Sequence, residues 1–187
     1  MINNFLKSKL IKKILILILV TAFHFSCENS DIEIDNYEQE QIENVLALEG
    51  QNQRDAYVLL DNKLKYKLWF DKLNYTKSNL SVEQANAVDK LLTIIEPNFF
   101  EFENSKNSKY INRIEDWMLL AKKTFNKKEF ILTFVTINNQ RVDYDGGCAC
   151  NRSEDYCWFS DCESSSCNSS YTGCGLLWNS TCNGECV

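Results

Sequence analysis

Residues 57–73 read YVLLDNKLKYKLWFDKL. Tyr57, Leu60, Leu64 and Leu68 recur at three- and four-residue spacing, and Trp69 and Leu73 widen the apolar stripe. A helix completes a turn in 3.6 residues, so this spacing lays one apolar face against a core. Trp69 is expected as a core anchor. The intervening charges, Asp61, Lys63, Lys65 and Lys67, are expected on the solvated face. Downstream, Ser81 and Gln84 form a capping box that starts a second helix. Its apolar face is Ala85, Val88, Leu91, Leu92 and Ile95, and Pro97, the only proline, ends it. A third stripe is Tyr110, Ile114, Trp117, Ala121 and Phe125, again with a tryptophan anchor. Upstream, a weaker helix is expected from Tyr37 to Glu49, stopped at Gly50. The run Phe130–Ile137 (FILTFVTI) fits a strand or a buried helix end, and periodicity does not decide between them. Glu101–Lys109 (EFENSKNSK) is polar and expected as a loop. These patterns make the chain mainly α, with a small helical domain of three to four helices over residues 37–145.

At Cys148 the composition changes abruptly. The chain has nine cysteines, and eight of them (Cys148, Cys150, Cys157, Cys162, Cys167, Cys174, Cys182 and Cys186) fall in the last 40 residues. Their spacing is C-x-C-x6-C-x4-C-x4-C-x6-C-x7-C-x3-C. The same segment holds eight serines, one Arg and no Lys, and its only aliphatics beyond alanine are Leu176, Leu177 and Val187. So short a segment cannot build a sufficient apolar core. Four disulfides, at about 2–4 kcal/mol each, would substitute by restricting the unfolded chain. Eight cysteines allow 105 pairings, so the connectivity is not legible in the sequence. Four-cysteine zinc sites use paired C-x2–4-C knuckles across a longer loop. Cys182-x3-Cys186 and Cys148-x-Cys150 fit that only loosely, and disulfides are the expectation. No metal or other cofactor is called for. Residues 148–187 are expected as a disulfide-rich C-terminal module, folding separately from the helices and joined to them near Gly146-Gly147.

The first 27 residues contain Lys7, Lys9, Lys12 and Lys13, no acid, and an apolar run Ile14–Phe23. A basic region, a short apolar region and a small residue before the cut make a secretory signal over residues 1–26. Ten apolar residues fall short of the ~20 of a membrane span. Phe25-Ser26-Cys27 resembles the end of a bacterial lipobox, which implies lipid attachment at Cys27. The acids that follow, Glu28, Asp31, Glu33 and Asp35, make residues 27–36 an acidic tether of the kind seen on surface lipoproteins of the Bacteroidota. With Cys27 acylated, an even eight cysteines remain, and thiols at that density oxidise outside the cytosol.

Beyond Cys27 there are 16 Lys+Arg against 26 Asp+Glu, a net of −10. That surface disfavours nucleic-acid phosphates and anionic lipid. The one histidine, His24, lies inside the signal. Loss of the signal removes the only imidazole, which excludes Ser-His-Asp and Cys-His catalysis and His-ligated metal. Glu96, Glu101 and Glu103 are best read as loop solubility around Pro97, since paired catalytic acids need a cleft. No enzyme is expected.

CACNRSEDYC (Cys148–Cys157), SYTGCG (Ser170–Gly175), Trp178 and the closing Cys182-Asn183-Gly184 resemble fulvocin C, a small cysteine-rich bacteriocin. The whole layout resembles the fulvocin C-related proteins of the Bacteroidota, with Leu68-Trp69 and Ser81-Val82-Glu83-Gln84 matching their helical region. The resemblance implies an exported antibacterial protein acting through its tail. Its partner would be an envelope component or surface protein of a competitor cell, besides its own membrane through the lipid anchor. The tail carries Arg152 against Glu154, Asp155, Asp161, Glu163 and Glu185, a net of −4, which opposes attraction to anionic membranes. Recognition through Trp158, Phe159, Tyr171 and Trp178 is the expected route. Gly146-Gly147 is either a processing site that would free the peptide or a flexible joint. The alternative function is a non-toxic cell-surface lipoprotein whose tail is a binding or structural module. The expected location is the outer membrane or cell surface, or the medium.

Overall fold

Local sequence signals start three of the helices. The computed structural model describes residues 28–101, 108–138, 150–152, 161–166 and 170–186. The signal segment, Cys27, Glu103, Gly146, Gly147, Cys148, Cys157, Trp158, Phe159 and Cys167 lie outside them. Among the described residues are six α-helices: α1 Glu28–Ala47, α2 Gly50–Leu59, α3 Asn62–Lys77, α4 Val82–Leu92, α5 Ser108–Thr124 and α6 Lys127–Phe134. Asp61 caps α3 by accepting from the Leu64 N–H. Ser81 and Gln84 form both halves of the capping box on α4. Asn126 and Glu129 do the same for α6. Each reciprocal pair satisfies backbone donors that a helix start leaves open.

The chain is mainly α, as expected, with more helices than the three to four read from the stripes. Gly50, expected only as a stop, opens α2 with a left-handed φ of 59°. The ambiguous FILTFVTI run is helical through Phe134, because the Asn126 capping box commits it before its β-branched residues are reached. Helix α4 ends at Leu92, short of Ile95, and Pro97 opens a 3-10 turn, Pro97–Phe100.

Residues Ile42–Val187 form one compact unit. Its core takes Ile42 and Val45 from the end of α1, Tyr57 from α2, Leu64, Leu68, Trp69 and Leu73 from α3, and Val88 and Leu91 from α4. Phe99 and Phe100, then Trp117, Ala121, Phe130 and Phe134, add to it. Trp117 is fully buried, donates from Nε1 to the Ala87 carbonyl at 2.7 Å, and meets Phe134 edge-on. Lys65, expected on the solvated face, is instead buried, with Nζ 5.6 Å from the Tyr57 ring centroid. Its aliphatic stem lies along the core and its charge meets an aromatic face, and burial lowers its pKa.

The tail contributes short strands β1 Cys162–Glu163, β2 Ser170–Cys174, β3 Ser180–Cys182 and β4 Glu185–Cys186. Strand β1 pairs antiparallel with β4, and β2 with β3. Between β2 and β3 a 3-10 turn, Leu176–Trp178, sends all three of its side chains into the same core as the helices. This corrects the expectation of a separately folding tail. Three large apolar residues have no interior of their own in so small a module, so they are buried in the helical one.

The tail and its seat on the helices

Two disulfides are described, Cys150–Cys162 and Cys174–Cys182. The first braces a backbone crossing. Cys150 and Gly184 exchange N–H···O=C hydrogen bonds, both 3.2 Å. Asn151 Nδ2 donates to the Thr181 carbonyl at 2.7 Å, and the Arg152 N–H donates to Asn183 Oδ1 at 2.9 Å. A Cβ on Gly184 would sit 2.6 Å from the Glu163 carbonyl oxygen and 2.8 Å from Cys162 Sγ. Only glycine fits there, which gives a steric reason for the Cys182-Asn183-Gly184 ending.

The second disulfide closes the β2–β3 hairpin around the Leu176–Trp178 turn, and both of its cysteines are buried. Arg54 on α2 reaches it across 120 residues of sequence. Its Nη1 donates to Cys174 Sγ at 2.9 Å and to Cys182 Sγ at 3.2 Å. The guanidinium carbon also lies 5.7 Å from the Trp178 ring centroid. One cation thus holds a disulfide and an aromatic face together in a dry setting, where both attractions are strengthened.

Trp178 is the centre of the seat. It is 1% exposed, stands edge-on to Tyr57 at 5.2 Å and to Trp69 at 6.4 Å, and donates from Nε1 to the Val135 carbonyl at 2.6 Å. Trp69 Nε1 donates to the Tyr57 hydroxyl at 3.2 Å, which donates in turn to the Leu177 carbonyl at 3.1 Å. Burial raises the Tyr57 pKa far above that of a free phenol, so the donated proton stays. Asn179 Nδ2 donates to the Phe99 carbonyl at 2.8 Å. The ring N–H groups of Trp69 and Trp178, the Tyr57 hydroxyl and the Asn179 amide thus each find an acceptor, as a low-dielectric site requires.

Beside the seat, Lys72 closes the C-terminal end of α6. Its Nζ donates to the carbonyls of Leu132 and Thr133, each at 2.8 Å, and to that of Thr136, and it lies 4.9 Å from the Trp69 ring centroid. Carbonyls at a helix C-terminus are a natural seat for a cation. Burial nevertheless pulls the Lys72 pKa down to about 7.

Of the four aromatics expected to face a target, Trp178 is a core residue and Tyr171 lies on β2. Trp158 and Phe159 are outside the described residues. Cys186 lies on β4 with its backbone opposite Cys162. Glu96 accepts from the Tyr110 hydroxyl, which ties the turn after α4 to α5. The residues the sequence reading missed are Gln53, Arg54 and Lys72. Gln53 and Arg54 stand four and three positions before Tyr57, on the stripe face, and an uninterrupted period-3.6 reading would have carried the stripe back to them. Gln53 uses that position to donate from Nε2 to the Val45 carbonyl at 3.0 Å, tying α2 to the end of α1.

The described disulfides fit a non-reducing compartment. Among the described residues no helix is long and apolar enough to cross a membrane. No family model, curated protein or solved structure matches the chain.

Proposed function

We propose that this is an exported, non-enzymatic antibacterial protein of the fulvocin C-related kind. It acts as an intact chain, in which the helices carry and orient the cysteine-rich tail. The observation that carries this reading is the agreement between motif and geometry. The cysteine register resembles the bacteriocin, and Gly184 of its closing motif sits where a side chain would strike Glu163 and Cys162. The seat of Trp178 favours the intact chain over a freed peptide, since a tail released by cleavage at Gly146-Gly147 would have to withdraw Leu176, Leu177 and Trp178 from the core. Cys27 is the lipid attachment point that would display the protein at the cell surface.

The test is an overlay of the purified, oxidised full chain on lawns of competing bacteria. Growth inhibition by the intact chain, abolished in a Cys150→Ser/Cys162→Ser variant, is expected. A chain that neither inhibits growth nor binds target envelopes would overturn the antibacterial reading. A second reading, a non-toxic surface lipoprotein whose tail is a binding or structural module, is supported by the burial of Trp178, which gives the tail a structural part in the helical core. Under it the protein would bind a surface partner without killing.

A further inference from the structure

We infer that closure of the Cys174–Cys182 disulfide is a latch that completes the helical core, so that the chain is loosely folded as a dithiol and locks on oxidation. The turn that plugs the core cannot hold its own shape. Leu177 and Trp178 have φ of 52° and 53°, and Gly175 has φ of 69°. Left-handed φ at two consecutive non-glycine residues is disfavoured and persists only where its surroundings impose it. Here the two cysteines bracket the turn, and their covalent bond ties β2 to β3 across a pairing whose register shifts between Ser170 and Cys174.

The plug is also indispensable to the helices. Tyr57, Trp69 and the Val135 carbonyl, from α2, α3 and the end of α6, all meet it, and Arg54 grips both the sulfurs and Trp178. Without it these groups would line a void with unmatched polar atoms. Formation of the bond removes two protons and two electrons from the Cys174 and Cys182 thiols. A disulfide oxidant accepts them and leaves as thiols. The inference is independent of any antibacterial action.

The test compares the full chain with Cys174→Ser/Cys182→Ser and Cys150→Ser/Cys162→Ser variants. The first pair should lower the thermal midpoint of the 222 nm helical signal by roughly 10–20 °C, because the Trp178 plug leaves the core with the bond. It should also speed amide exchange across α2 and α3. The second pair, which brackets none of the described residues of that core, should shift the helical midpoint by less than half as much. Equal loss in both variants, or none in either, would overturn the latch. Should the first variant fail to fold, the wild-type chain decides. Reduced, unfolded protein is oxidised with oxidised glutathione, quenched with iodoacetamide at intervals and peptide-mapped. Native near-ultraviolet aromatic signal should appear together with Cys174–Cys182 closure. Its full appearance while Cys174 and Cys182 are still alkylatable would refute the inference.

Discussion

Replacing Trp178 by alanine should destabilise the helices, although Trp178 lies over forty residues beyond the end of α6. The side chain is 1% exposed and packs between Tyr57 and Trp69. Truncating a fully buried tryptophan costs about 3–5 kcal/mol, the sum of lost transfer energy and a cavity the neighbours only partly fill. The Val135 carbonyl loses its 2.6 Å donor at the same time. For a unit of this size the total corresponds to a fall of roughly 10–20 °C in the midpoint. The assay is thermal unfolding followed at 222 nm under oxidising conditions. Tyr75→Ala, at a position 75% exposed, is the control and should stay within about 0.5 kcal/mol of the parent. Trp178→Phe should fall between the two, since it keeps most of the volume and loses the Val135 hydrogen bond. A helical midpoint unchanged by Trp178→Ala would refute the single core and restore a tail that folds apart from the helices.

Gly184→Ala should cost about 1–3 kcal/mol from overpacking against the Glu163 carbonyl and Cys162 Sγ, and should lower the yield of the Cys150–Cys162 bond in a peptide map. Lys72, pulled down by burial to about 7 from 10.5, binds fewer protons folded than unfolded between those values. Stability attributable to Lys72 should therefore rise with pH from 7 towards 10 and be lost as pH falls back towards 7. The urea midpoint of the parent, compared with Lys72→Met, measures this slope, and identical pH profiles would contradict it. Cys27→Ser should move the protein from the membrane to the soluble fraction, and an unchanged partition would point to an anchor other than a lipid on Cys27.

The helices were legible because their causes are local. The stripe from Tyr57 to Leu73, the box at Ser81 and Gln84, and the tryptophan anchors Trp69 and Trp117 all follow from spacing along one chain segment. The break between α2 and α3 was harder to see, since Asp61 reads equally as a charge on one long helix and as the cap of a second. The FILTFVTI run was undecidable from its own residues and was settled by the Asn126–Glu129 cap just before it. Lys65 was misplaced because a long cation can bury its stem and still offer its charge to an aromatic ring.

In the tail, composition is enough to show that forty residues rich in cysteine and poor in aliphatics need covalent bracing, because that follows from apolar mass alone. It could not say which cysteines pair. Nor could it tell that Leu176, Leu177 and Trp178 belong to the helical core, or that Arg54 would lie against two sulfurs 120 and 128 residues away. Those outcomes depend on which surfaces meet once the helices have packed. Contacts between residues so far apart leave no periodic trace along the chain, and they come into being only when the packed faces meet.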